Sequence, residues 1–598
     1  MVCMKKEHIF LIILLLCTFL IRIYNANELS GGDDSQFAQL SAFAIKSPAK
    51  IIYPSFSDEP MSWGGLHYTR PFAVIPLVIS ILIFGYNKYA VLMPTLLFSV
   101  LSVLLLYLIV KKQFNTKTAF VASILFAFSP FHIAFTRSGF LHGALTFYCL
   151  LATFLVIKAI DERKNLFIYL AAFVCLANAW TTDFRGLIPL SALLPYLYFR
   201  KVKKEQIKHF FFAAFIVLGL FFIYMLIPLI FFKNPEFINS FISMFLYALP
   251  GHGAVMAGSG ISILGSAKTM LNYLVMTPFM GLIFIPVLFG FLYSLKNIKK
   301  PKYALWLFWF LSIIIFYIHG KPYVERQVVI VPAFAVLASI GITHSLDFFV
   351  KEKKGLAFAS LIALTISWIV LLTARFPTTY ASEYMSITKT NYFLSLIFGF
   401  LNNYYIWIII FILVLTMLIS HFYFRNINIK RQKNVLSIIV IIYLLLNVSV
   451  ASALVIGGFG IYKRPNEVKV IADYINENLG NEKYACVAGV HDKSFIFYTQ
   501  KVCASWLLVN VSWIQEQVEN NNLKYFVLNL YLYDGYTPGF GRIDQSGVFD
   551  NTSCTQPSEW HCNEPEKYNW LMENTVDITY KTGLKPDNPY FRLYEYIK

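Results

Sequence analysis

The sequence predicts a polytopic α-helical membrane protein with a C-terminal α/β domain outside the membrane, and three observations carry that prediction. Of 598 residues, 58% are hydrophobic and only 14% charged, whereas a soluble domain carries about a quarter charged residues. Apolar runs of about 20 residues recur along most of the chain, the length that crosses roughly 30 Å of hydrocarbon. Past Lys463 the composition turns polar, with apolar residues at helix and strand spacings. A mean hydropathy of +0.61 over this length excludes a soluble enzyme, a DNA-binding domain and a disordered scaffold. The net charge of +18 does not point to nucleic acid, because the basic residues sit in short clusters between apolar runs, where they set topology.

The first span runs from about Ile9 to Tyr24. Lys5 and Lys6 hold the N-terminus inside, and no small-residue cleavage site follows. Residues 25–70 form a polar loop on the outer face. Basic clusters then follow at Lys111-Lys112 with Lys117, Arg163-Lys164, Arg200 to Lys208, Lys296 to Lys302, Lys351 to Lys354 and Arg425 to Lys433. All can be cytoplasmic only if Pro71–Tyr86, an apolar run of 16 residues, lies in the interface instead of spanning. The expectation is a membrane domain over residues 1–457 with about thirteen spans, the N-terminus cytoplasmic. Its last span is about Val435–Leu454.

Four further outer segments follow from this topology: Thr136–Leu141, Ala179–Arg185, Lys233–Lys268 and His319–Arg326. The third holds Gly251-His252-Gly253 and Gly258-Ser259-Gly260, which lack the Lys-Ser/Thr ending of a phosphate cradle and suit a mobile lid. Residues 463–598 read as the outer domain. Asn466–Asn478 and Val511–Glu519 have helical spacing, Tyr484–Val490 and Leu523–Leu530 read as strands, and Ile578–Tyr580 and Phe591–Ile597 can close the sheet. Strands alternating with helices predict a partly parallel sheet. Cys486, Cys503, Cys554 and Cys562 all fall here, an even set suited to disulfides in an oxidising compartment. Cys17, Cys149 and Cys175 lie in apolar runs and read as inert thiols.

Chemistry concentrates in the outer loops. Gly31-Gly32-Asp33-Asp34 puts two adjacent carboxylates just beyond a span. One can accept a proton while its neighbour raises its basicity by repulsion or holds a divalent cation, the one cofactor this pair suggests. The alternative is that both acids merely cap a helix beginning near Ser35. Arg70, Arg137, Arg185, Lys321 and Arg326 stand near span ends on the same face. Each can hold phosphate or anchor the chain at the headgroups. His67 and His252 can touch sugar hydroxyls or cap turns, Asp183 can pair with Arg185, and His491-Asp492 reads as a strand-end turn. No Cys-x-x-Cys, His-Glu-x-x-His or Gly-x-Ser-x-Gly pattern offers other chemistry.

Leu29–Ala44 resembles the opening of the lipid-linked-sugar glycosyltransferases of the GT-C class, which include protein O-mannosyltransferases and the lipid A aminoarabinose transferase. In that family an Asp-Glu pair opens the first outer loop and precedes an amphipathic helix. Here the pair reads Asp33-Asp34 and the helix Gln36-Phe37-Ala38-Gln39-Leu40. The resemblance continues at Tyr68-Thr69-Arg70-Pro71, Phe84-Gly85, Phe128-Ser129-Pro130, Thr136-Arg137-Ser138, Leu141-His142-Gly143 and Tyr323-Val324-Glu325-Arg326. It covers roughly residues 1–350 and leaves the C-terminal domain unexplained. It implies that Asp33 is the general base, with Asp34 in the place of the usual Glu. Arg70 and Arg326 would hold the donor phosphate, with Arg137 and Lys321 beside them, and His67 and His142 would touch substrate. His142 stands where relatives carry an Asp, which removes the second acid.

The implied activity is transfer of a mannose-like hexose or pentose from a polyprenyl or dolichyl phosphate to a hydroxyl on protein, glycan or lipid. It would occur at the outer membrane face with inversion at the anomeric carbon. Two other classes compete. A transporter or lipid flippase would show duplicated halves and charged or broken mid-membrane helices, and no internal repeat is visible. A non-catalytic relative that binds glycolipid is the reading that His142 favours. An oligosaccharyltransferase would carry a Trp-Trp-Asp-Tyr-Gly run after its last span, which this chain lacks.

Overall fold

The computed structural model describes residues 6–24, 33–46, 71–137, 139, 142–181, 184–232, 283–318, 328–351, 467–488, 492–506, 509–529, 564–584 and 591–597. It adds short pieces at 366–368, within 406–448, and at 542–543 and 549–550. They fall into two compact units. One takes Met1–Ala26, Thr95–Arg137 and Leu141–Ile461, and the other Asn27–Pro94, Ser138–Phe140 and Tyr462–Lys598.

The chain opens with α1 (Lys6–Ile23), α2 (Asp33–Lys46), α3 (Pro71–Phe84), α4 (Lys88–Gln113), α5 (Thr116–Ala127), α6 (Pro130–Thr136) and α7 (His142–Glu162). After α8 (Leu166–Thr181) and a 3-10 helix at Phe184–Ala192 come α9 (Leu193–Arg200), α10 (Lys204–Phe232), α11 (Phe284–Lys296), α12 (Pro301–Ile318) and α13 (Val331–Lys351). Among the described residues, Lys88–Gln113 and Gly143–Glu162 are long and apolar enough to cross a membrane. Of the other expected spans, α1, α10, α12 and α13 run 18 to 29 residues, and the rest are shorter or lie outside the described residues. With 14 residues, α3 extends about 21 Å, short of a roughly 30 Å hydrocarbon layer. It stops at Gly85, whose φ of 78° suits a residue without a Cβ and whose N–H closes on Ile81 O at 2.8 Å. Asn87 then opens α4, its Oδ1 accepting from the N–H groups of Tyr89 and Ala90 at 2.9 and 3.1 Å.

In the first unit a continuous apolar core joins α1, α4, α5, α7, α11, α12 and α13. Trp306 and Trp309 stack at 5.6 Å in its middle. Outward faces keep large apolar side chains exposed, among them Ile12, Ile13 and Leu16 on α1 and Phe211, Phe215 and Phe222 on α10. That suits a surrounding of hydrocarbon, since water would penalise such faces. At one end of the bundle the charges gather. Glu7 accepts from Lys111 and from the Tyr107 hydroxyl, and Asp161 takes Lys112 and Arg200 at 2.9 Å each. The ends of α1, α4, α7 and α9 that carry these residues therefore lie together.

In the second unit the strands β1 (Tyr484–Ala488), β2 (Val502–Ser505), β3 (Tyr525–Asn529), β6 (Thr575–Asp577) and β7 (Phe591–Tyr596) form a sheet of order β2-β1-β3-β7-β6. A separate pair joins β4 (Arg542–Ile543) and β5 (Phe549–Asp550). β1 is parallel to β2 and β3, whereas β7 is antiparallel to β3 and β6. The helices are α14 (Glu467–Asn478), α15 (Asp492–Thr499), α16 (Val511–Glu519) and α17 (Glu564–Asn574). Tyr484, Val487, Ile514, Val518, Phe526 and Leu571 meet in its core. Two expectations shift. Asp492 opens a helix and not a turn, and the edge strand is 575–577 and not 578–580. It ends early because Asp577 Oδ1 accepts from Thr579 N at 2.8 Å and turns the chain into a 3-10 helix.

Candidate active site

Three of the family-like motifs meet in the first unit. Ser129 caps α6, its hydroxyl accepting from His132 N, and Pro130 takes the first helical position, where its missing N–H costs nothing. This short helix docks on the end of α1 through Arg22, which is fully buried. Arg22 Nε donates to Thr136 Oγ1 at 2.9 Å, Nη1 to Thr18 O at 3.0 Å, and Nη2 to Ala127 O at 2.9 Å and His132 Nδ1 at 2.9 Å. A guanidinium only donates, so His132 Nδ1 must be the acceptor and its ring proton sits on Nε2. These four partners are all neutral, so among the described residues no acid offsets the charge of Arg22.

Arg137 follows at the C-terminal end of α6. Its side chain is buried, with Nη2 donating to Tyr24 O at 2.7 Å. Two guanidiniums thus flank one short helix. His142 is the first residue of α7, and a Cβ on the next residue, Gly143, would lie 2.9 Å from both Thr136 Cγ2 and Thr95 Cγ2. The start of α7 is therefore pressed against α6 and α4, and only glycine permits that approach.

In the second unit, α2 begins at Asp33, two residues earlier than expected. Asp33 and Asp34 form part of its first turn, the positive end of the helix dipole. Ser41 Oγ donates to Phe37 O at 2.8 Å within the same helix. His67, Arg70, Lys321, Arg326, Cys554 and Cys562 lie outside the described residues, as do Asp183, the segment 233–281 and His491. Cys486 and Cys503 are joined by a disulfide between the paired positions of β1 and β2. Cys17, Cys149 and Cys175 are free. Among the described residues no group of three His, Cys, Asp or Glu side chains is arranged to hold a metal.

Sequence reasoning missed Arg22. The signal was available, since an ionisable residue within an apolar run, here in the last turn of α1, is a functional candidate by default.

The family model described as dolichyl-phosphate-mannose-protein mannosyltransferase matches residues 71–231. Two Bacillus subtilis (strain 168) proteins that carry the name mannosyltransferase, YkcB and YycA, are 33% and 27% identical over 172 and 177 residues. Those stretches are 28% and 29% of this chain and 23% and 25% of the relatives, so the chain matches about a quarter of their length. Among solved structures, ArnT from Cupriavidus metallidurans bound to undecaprenyl phosphate aligns with a TM-score of 0.60 and 13% identity over 98% of both chains. The Archaeoglobus fulgidus oligosaccharyltransferase in its apo form aligns at 0.53 and 13% identity, covering 96% of this chain and 79% of that one. The chain therefore shares the fold of ArnT and of the Archaeoglobus fulgidus oligosaccharyltransferase, and its residues 71–231 match the mannosyltransferase family model.

Proposed function

We propose that this protein is a membrane glycosyltransferase that takes a mannose-like hexose or a pentose from a polyprenyl or dolichyl phosphate and gives it to a hydroxyl on protein, glycan or lipid. The observation that carries the reading is the family match over 71–231, a stretch that includes the Arg22-bound corner at Ser129–Arg137. The reaction runs at the outer membrane face, with the N-terminus cytoplasmic, about thirteen spans over 1–457, and the 463–598 domain outside. Asp33 accepts the proton of the acceptor hydroxyl. The oxygen attacks the anomeric carbon from the side opposite the phosphate, the new C–O bond forms with inversion, and the old one breaks. Its electron pair leaves on the polyprenyl phosphate, which Arg70 and Arg326 hold, with Arg137 and Lys321 adding positive charge. Asp34 tunes Asp33, and His67 and His142 contact the sugar or acceptor.

Among the described residues the buried charge of Arg22 meets neutral partners, which favours an anionic ligand near that corner. The test is transfer of label from a radiolabelled polyprenyl-phosphate sugar to whole-membrane acceptor by the purified protein. Asp33→Asn should lose about 10²–10⁴-fold in turnover with unchanged thermal stability, and Asp34→Asn should lose less. An active Asp33→Asn protein refutes the assignment of the base, and an unfolded one favours a capping role.

A further inference from the structure

The C-terminal α/β layer lacks a role in the chemistry above, yet one of its helices has no solvent face. Six consecutive residues of α15, Ser494 to Thr499, are all buried. With 3.6 residues per turn, such a run closes every side of a helix. A helix on an open sheet ordinarily leaves one side to water. Here α15 packs on β1, β2 and α14, and also on α2 from the other end of the chain. α2 shows the same feature, since Phe37 to Ala42 are buried without interruption, and it packs on α3 as well as α15. Two further contacts tie these elements together. Lys46 Nζ, at the end of α2, donates to Gln500 O at 3.1 Å, just past α15. The Phe497 ring meets Tyr86, two residues beyond α3, edge-on at 5.8 Å.

We propose that α15 is a positioning element of the active site: it clamps the C-terminal half of α2 and so fixes where Asp33 stands at the other end. This rests on Asp33 being the base. Lys46 and Phe497 are then positioning residues. From Lys46 to Asp33 the helix is about 20 Å long, so a tilt of about 3° moves the acid by about 1 Å. A displacement of about 1 Å in a reacting group can cost on the order of 100-fold in rate.

The experiment uses the full-length protein in detergent with a polyprenyl-phosphate sugar as the probe. It reads kcat, donor KM, and hydrogen exchange of the amides in 37–46 and in 525–529. Phe497→Ala should lower kcat by about 10- to 100-fold with donor KM unchanged. It should speed exchange in 37–46 and leave the central strand protected. Lys46→Ala should show the same pattern at a few-fold, and Lys46→Arg should restore it. If Phe497→Ala unfolds the strand too, the Lys46 pair decides. Unchanged exchange in 37–46, or faster exchange with wild-type kcat, overturns the proposal while leaving Asp33 as the base. A wild type that transfers nothing refutes the glycosyltransferase reading instead, and the exchange data alone then decide whether α15 holds α2.

Discussion

Arg22 offers the sharpest test of how the corner between α1, α5 and α6 is held. Arg22→Met keeps the apolar stem and removes every hydrogen bond of the guanidinium. Thr136 Oγ1 loses little, because it still donates to His132 O at 2.7 Å. Thr18 O belongs to the α1 ladder, where the amide four residues on already serves it. The losses fall on Ala127 O, at the last residue of α5, and on His132 Nδ1. Each stranded buried acceptor costs about 1–3 kcal/mol, and removing the charge from a buried site recovers part of that. The two acceptors together cost about 2–6 kcal/mol, and after that recovery the net loss should be about 1–4 kcal/mol. Arg22→Lys keeps the charge but can reach fewer of these acceptors, and should cost about half as much. The assay is thermal unfolding of the purified protein, where Arg22→Met should lower Tm by roughly 1–4 °C, given the large unfolding entropy of a chain this long. A Met variant that melts with the wild type, or a Lys variant worse than Met, would refute the account.

Three other predictions follow from particular contacts. A Cβ at Gly341 would lie 2.1 Å from Pro286 O, and one at Gly290 would lie 1.7 Å from Leu337 O. Gly341→Ala must therefore push α11 and α13 apart, at about 1–3 kcal/mol or more, read as a lower Tm; wild-type stability would show that the helices yield freely. The Cys486–Cys503 bridge closes a separation of 17 residues, and its removal in a double Ala variant should cost about 3 kcal/mol. Peptide mass spectrometry without reductant should recover the pair, and two free thiols would refute it. Burial alone would raise the Glu595 carboxyl, but hydrogen bonds and charge from Lys524 and Lys581 hold it below the usual carboxylate range. Its contribution to stability is thus present above the ordinary carboxylate value and lost as pH falls through the depressed one. Glu595→Gln should flatten that acid limb in a pH series of melting temperatures, and an unchanged limb would reassign the loss to other groups.

The parts of this fold that were legible in the sequence are those where one local rule suffices. Val468, Ile471 and Ile475 recur at helical spacing, and they are the buried face of α14. The unbroken apolar run at Tyr525–Leu528 lies in a central strand because both of its faces are covered. The halt at Phe84-Gly85 and the start at Ser129-Pro130 each rest on residues whose backbone preference is local. What stayed hidden depends on distant segments. β2 has only four residues and exists because β1 offers an edge, and no periodicity can announce that. Arg22 looks like any cation at the end of a span, and its hub becomes visible only when residues 110 and 114 positions away in sequence reach it.

The covering of α15 by α2 belongs to the same class, since it joins positions 454 residues apart. It also shows that the boundary near residue 460, natural in composition, is one in packing too, but that the unit beyond it takes in Asn27–Pro94 as well. The polar stretch after Lys463 reads as a separate module because water tolerates its surface. Its helix α15 is nevertheless finished by a segment that lies before the second apolar run. Composition reports the solvent each segment meets, whereas a compact unit is defined by which apolar faces close on one another. The helix that carries Asp33 and the C-terminal sheet are one body in the second sense, and a truncation at residue 462 would strip α2 of a buried face along with the domain it removes.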